Sequence, residues 1–185
     1  MADDIRDVLR GGDRRSIGRV PQVLNRLTAS PRLFDRLVAA LGDTDPVVRM
    51  RAADALEKAS RKDASPLQKH KRALLRLARS TAQQELRWHL AQMLPRLHLR
   101  PPERQAAART LQSYHTDPSS IVRTFALQAL ADLAQGDAAL RALALRSLRQ
   151  AIRTGTPAMR SRAARLLREL APPGARPRVA KENHS

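Results

Sequence analysis

The chain has 185 residues, 42% of them hydrophobic and only 2% aromatic, with no cysteine and a formal net charge of +18. That length can bury one sizeable core, the lack of cysteine excludes a disulfide framework, a thiolate nucleophile and a thiolate metal site, and a vocabulary of alanine, leucine and arginine favours helix over strand. The charge attracts nucleic acid at low salt, but arginine outnumbers lysine 30 to 5, a skew that GC-rich codon usage also produces.

The start, Met1-Ala2-Asp3-Asp4, is acidic and without the apolar run of a secretion signal, and no later stretch approaches a membrane span, which predicts a cytoplasmic protein with no membrane partner. Ser16 to Leu24 has apolar residues at helical positions and reads as a degenerate first unit. Pro31 opens a helix whose Phe34, Leu37, Val38 and Leu41 share one face, and Gly42 stops it. Asp45-Pro46, an N-cap residue followed by a proline suited to the first turn, then starts a second helix toward Ala59. Later first helices are predicted from Pro66 to about Ser80, from Pro102 to about Tyr114 and from Asp137 to about Arg153. The Arg100-Pro101-Pro102 break and the Gln135-Gly136-Asp137 turn separate them. From Ala171 the apolar period is lost, and 172–185 reads as a disordered basic tail.

Arg49, Arg87, Arg123 and Arg160 recur at intervals of 38, 36 and 37 residues. Each is preceded by an apolar residue (Val48, Leu86, Val122, Met159) and followed three later by Ala52, Leu90, Ala126 or Ala163 and seven later by Leu56, Leu94, Leu130 or Leu167. A repeat of this length that returns one helical face predicts stacked helix pairs, with units near 1–29, 30–64, 65–100, 101–136 and 137–171. Asp45-Pro46-Val47-Val48-Arg49 with Ala52-Ala53-Asp54-Ala55-Leu56, and Ile121-Val122-Arg123 with Ala126-Leu127-Gln128-Ala129-Leu130, resemble the HEAT-repeat family of α-solenoids. The resemblance implies an all-α, right-handed α-α superhelix of about five helix pairs. It also implies a structural ladder of turn aspartates and arginines involving Asp45, Arg49, Asp117 and Arg123, interrupted where Gln83 and Thr156 replace the aspartate.

With the second helix taken at about 100° per residue, the ridge opposite the buried face should line the concave surface. That ridge gives Met50, Asp54, Trp88, Gln92, Thr124, Gln128 and Arg165 as candidate partner-binding residues, with Glu57 and Arg61 alongside. Its mixture of acid, amide and base is unlike the uniformly positive groove of a nucleic-acid clamp. Trp88, the single tryptophan, is the most informative of them as an anchor for a partner, against the alternative of a wedge between helices. Lys69, Arg72, Arg76 and Arg79 form a basic stripe on a first helix and are the candidate phosphate contacts, with Arg146, Arg149 and Arg153 a weaker one; the alternative is an ordinary solvated face.

No histidine pairing at metal-ligand spacing and no phosphate-binding glycine loop is visible, no two glutamates share a helix face, and Asp54 with Glu57, the nearest acidic pair, reads as an exposed i,i+3 pair relieved by Lys58 and Arg61. The sequence therefore predicts no catalytic residue, no metal and no cofactor. The expected function is a non-catalytic scaffold that binds another macromolecule, a protein first, on its concave surface. The alternatives are a nonspecific DNA- or RNA-binding protein or a relative of the HEAT-like alkylation-repair glycosylases, and a HEAT-like lyase or maturation factor. The sequence leaves the oligomeric state open.

Overall fold

The computed structural model describes residues 4–11, 16–27 and 31–170, all helix and turn, so the tail expected at 172–185 lies outside the described residues. Among the described residues ten α-helices follow one another: α1 (Ile5–Leu9), α2 (Val20–Leu27), α3 (Pro31–Ala40), α4 (Pro46–Lys62), α5 (Lys71–Ser80), α6 (Gln84–Met93), α7 (Pro101–Ser113), α8 (Ser120–Leu133), α9 (Ala138–Thr154) and α10 (Pro157–Leu170). They stack as an all-α solenoid. The second helices α4, α6, α8 and α10 pack in series as an inner layer, while the first helices α5, α7 and α9 form an outer layer whose members scarcely touch one another.

Local chemistry sets the helix starts. The Asp45 carboxylate accepts the Val47 amide at 2.8 Å with Pro46 in the first turn, and Asp137 accepts the Leu140 amide at 3.0 Å. Asp117 stands six residues before Arg123, where Asp45 stands four before Arg49, and at α8 the cap moves from Asp117 to Ser119, whose hydroxyl accepts from Val122. The helix expected from Pro66 instead opens as a 3-10 segment over Ser65–His70, and α5 begins only at Lys71. Gln68 explains the tighter turn: its amide group donates to the carbonyls of Ala64 and Arg96 and accepts from the His98 amide at 2.8 Å. The segment is thereby tied to the next unit.

The buried face is the one that keeps phase with the repeating arginines. Val48, Ala52 and Leu56, then Leu86, Leu90 and Leu94, then Val122, Ala126 and Leu130 are all closed from solvent, continued by Met159 and Ala163 in α10. The 3-10 segment adds Leu67, and the outer helices add Leu74, Leu111, Leu140 and Leu148, to the same continuous core. Each such leucine contributes about 2 kcal/mol by burial, and the contribution exists only because a neighbouring unit covers it.

Arginines tie successive units together. Arg49 donates to Gln83 Oε1 at 2.7 Å and to the carbonyl of Asp43 at 2.7 Å, while Gln83 Nε2 donates back to the Pro46 carbonyl at 2.9 Å. Arg87 donates to the Asp117 carboxylate at 2.5 Å and to the Thr81 carbonyl at 2.9 Å. Each of these arginines thus reaches the turn of the following unit. Gln83 fills a rung that the sequence leaves as a gap, because a side-chain amide both accepts from the guanidinium and donates to a carbonyl. Asp45 caps its own helix and pairs with no arginine among the described residues; Asp117 pairs with Arg87, and Arg123 bonds the carbonyls of Asp117 and Pro118 within its own turn.

Candidate functional site: the inner groove

Where α4, α6, α8 and α10 lie side by side, the inner face holds an open groove of about 510 Å³ bordered by Arg61, Gln92, Arg96, Phe125, Gln128 and Asp132, with Arg162 over its far wall. Two polar networks build it. In the first, Glu57 is 1% exposed and accepts from Arg61 at 2.8 Å and from Arg96 at 2.7 Å, while Arg96 also donates to the Ser60 hydroxyl and the Glu57 carbonyl. Burial alone would raise the Glu57 carboxyl, but the hydrogen bonds from Arg61 and Arg96 outweigh it and hold the group below its ordinary range.

In the second network Gln128 is the hub. Its Oε1 accepts from Arg162 at 3.1 Å and Arg165 at 2.7 Å, and its Nε2 donates to Asp132 at 2.8 Å. Arg162 lies 5.8 Å above the Phe125 ring, and Arg165 also pairs with Glu169 at 2.5 Å. Burial pushes the Asp132 carboxyl up, the nearby Glu169 adds to that, and the Gln128 hydrogen bond with the Arg165 and Arg96 charges only partly opposes it. The groove is therefore a surface of paired charges, one aromatic face and side-chain amides.

Of the residues expected on the concave ridge, Gln92 and Gln128 line this groove, and Arg165 reaches it through Gln128. Met50, Trp88 and Thr124 are half-buried and outside its lining, and the Thr124 hydroxyl is turned to the Ser120 carbonyl at 2.7 Å. The Trp88 ring packs against the core and meets His89 edge to face at 5.5 Å. Asp54 and Glu57 are corrections, since neither is exposed: α4 is flanked by α2, α3 and α6, so its nominally outward ridge is covered, and Asp54 pairs with Lys58 at 2.8 Å. A helical wheel assumes one buried face, which fails for a helix enclosed on three sides.

The groove lining recurs two, five and nine residues after Arg123 (Phe125, Gln128 and Asp132), five and nine after Arg87 (Gln92 and Arg96) and two after Arg160 (Arg162). This 3-then-4 spacing is the signal that would have found Phe125, Asp132, Arg162 and Arg96 from sequence. On the outer layer, Lys69 does not belong to the basic stripe: it sits in the 3-10 segment and pairs with Asp35 at 2.6 Å. Arg72, Arg76 and Arg79 lie exposed on α5. Among the described residues no group of three or more His, Cys, Asp or Glu side chains is placed to hold a metal ion, and no helix is long and apolar enough to cross a membrane.

No family model matches the chain, and no curated protein sequence matches it significantly. Solved structures do. An engineered protein superimposes with a TM-score of 0.58 at 19% identity, covering 92% of this chain and 80% of that one. The complex of CpcE and CpcF of phycocyanin lyase from Nostoc sp. PCC7120 superimposes with a TM-score of 0.56 at 18% identity, covering 82% of this chain and 99% of that one. At these identities the likeness is one of architecture, and the fold this chain shares with them is the HEAT-like all-α solenoid.

Proposed function

We propose that the chain is a non-catalytic scaffold that holds a segment of a partner protein in the inner groove. The observation that carries this reading is charge balance: Arg61 and Arg96 are engaged by Glu57, Arg165 by Glu169, and Arg162 by Gln128 and the Phe125 ring. A polyanion would have to break these pairs before binding, whereas a polypeptide segment meets an aromatic face and amide groups of Gln92 and Gln135 that match its own backbone. In the phycocyanin lyase, an array of similar architecture stands in a complex of two chains, in keeping with a protein partner here.

The test is affinity capture on the full chain from nuclease-treated lysate of the source cells, compared with a Phe125→Ala/Gln92→Ala variant whose circular dichroism matches the parent. A specific captured protein should bind the variant at least about tenfold more weakly, the loss of one aromatic anchor. Capture that nuclease abolishes, or that the variant leaves intact, would overturn the reading.

A further inference from the structure

Among the described residues, the densest run of unneutralised charge lies on the opposite layer. Neither α5 nor α9 contains an aspartate or glutamate, and the one acidic residue of α7, Glu103, is taken by Lys71 at 2.8 Å and by the Arg100 amide at 2.8 Å. Arg72, Arg76 and Arg79 on α5, Arg109 on α7, and Arg146, Arg149 and Arg153 on α9 are exposed. Among the described residues none of them has a carboxylate partner; Arg153 alone donates to a side chain, the Gln150 amide oxygen at 2.6 Å.

Because outer helices lie on the longer arc, they splay and leave clefts between units. One cleft, of about 390 Å³ between α5 and α7, has Arg76, Arg79 and Arg109 at its rim with the Thr110 and Ser113 hydroxyls. The next, of about 470 Å³ between α7 and α9, has Arg146, Arg149 and Arg153 with Gln112, Ser147 and Thr154. Arginine accompanied by hydroxyl and amide side chains is the set that contacts phosphate oxygens in nucleic-acid complexes.

We propose that this outer face, α5 to α9, is a docking surface for the phosphate backbone of double-stranded nucleic acid, read without sequence preference. Neither cleft has a Phe, Tyr or Trp in its lining, and the single aromatic ring there, His115, is mostly buried, so the surface offers little on which single-stranded bases could stack. Ile152, 36% exposed, is the one large apolar side chain exposed on these three helices, too little to insert into a lipid headgroup layer. An acidic peptide would fill one cleft and leave the other arginines unmatched, whereas a duplex presents charge across the width of three helices. The surface is separate from the inner groove, so a duplex and a partner protein can be held on opposite sides of the array.

The experiment is fluorescence anisotropy of a labelled 20-base-pair duplex of arbitrary sequence with the full chain over a potassium chloride series. About six phosphate contacts give a slope of log K against log salt near −5 and a loss of roughly a thousandfold in affinity between 50 and 200 mM. Arg76→Gln/Arg109→Gln/Arg149→Gln should reduce that slope by about 2 to 3. Arg26→Gln/Lys62→Gln/Arg168→Gln, with the same change in net charge away from the clefts, should leave it within about 1. These side chains are exposed, so thermal melting of both variants should match the parent. Equal effects of the two triples would reduce the interaction to net charge and overturn the proposal. So would preference for the single strand, or cleft-dependent binding of polyglutamate or phosphatidylserine vesicles without duplex binding. Phe125→Ala/Gln92→Ala should leave duplex affinity unchanged, which keeps this test independent of the inner groove.

Discussion

Arg51 shows how much one residue can fix. It is 1% exposed, and its guanidinium donates to the carbonyls of Leu9 at 2.8 Å, Ser16 at 3.1 Å and Gly11. This ties Leu9, Gly11 and Ser16 to α4. Gly18 has φ +54° and its missing Cβ would stand 2.7 Å from Arg51 Cζ, so both the backbone conformation and the close approach require glycine there. Arg51→Leu should cost about 3 kcal/mol in urea unfolding, because buried carbonyls lose a charged donor. Limited proteolysis should then cut first between α1 and α2; Arg51→Lys should not restore the loss, since an ammonium cannot span the same set of carbonyls. His89 carries a second residue-scale effect. Burial is the main cause that lowers its pKa from 6.5 to about 4, only partly opposed by Asp54 and Glu57 and reinforced by Lys58 and Arg61. The imidazole of the unfolded chain therefore takes up its proton near pH 6.5 while the folded one resists until about 4, so stability is full above pH 6.5 and is lost as pH falls toward 4. His115, lowered by burial too, adds to the same trend. His89→Leu should remove roughly 3 kcal/mol of that decline in pH-dependent melting, and an unchanged slope would show that the ring is hydrated in solution.

At the scale of elements, the sequence made the inner helices legible because their apolar positions keep phase with a charged marker, Arg49 and its successors. The boundaries capped by Asp45 before α4 and Asp137 before α9 were legible because the cap and the donor it satisfies lie within three residues of each other, whereas the equally local caps Asp4 before α1 and Ser119 before α8 carried no repeat motif to mark them. The 3-10 opening at Ser65–His70 could not, since it depends on Gln68 bonding a carbonyl 28 residues away in the next unit. Arg51 was equally silent, because the partners it has among the described residues are backbone carbonyls, which every residue type carries. The inner groove was half legible. Gln92 and Gln128 stand on the expected ridge, whereas Arg96 and Asp132 fall one turn further on, where α4, α6 and α8 leave the surface uncovered. Charge alone could not separate the layers: only the pairing of arginines inside the groove, set against their isolation on α5 and α9, distinguishes a face suited to protein from one suited to phosphate.

For the molecule as a whole, a stack of units is as cooperative as its weakest junction. The junctions differ in kind. Between the second and third units, Arg49 and Gln83 exchange neutral-partner bonds across the turn. Between the third and fourth, Arg87 meets the carboxylate of Asp117, which is 5% exposed, and its guanidinium also lies 5.3 Å above the Tyr114 ring, whose hydroxyl donates to the Ala78 carbonyl at 2.5 Å. Between the fourth and fifth, Arg123 stays in its own turn and the link passes through Gln128 to Arg162 and Arg165. Asp117 is thus the carboxylate on which the central ladder junction depends, and it also accepts the Ser119 amide at 2.8 Å ahead of α8. Asp117→Ala should leave the Arg87 charge without its partner and cost about 3 kcal/mol. The loss should appear unevenly in hydrogen exchange: amides of α7 to α10 should open at lower free energy than those of α3 to α6, because only the contacts across that junction are weakened. Asp117→Asn keeps the acceptor for Ser119 and removes the ion pair, so it should fall between the two. Uniform acceleration of exchange along the whole chain would show instead that the array unfolds as one unit despite its repeats.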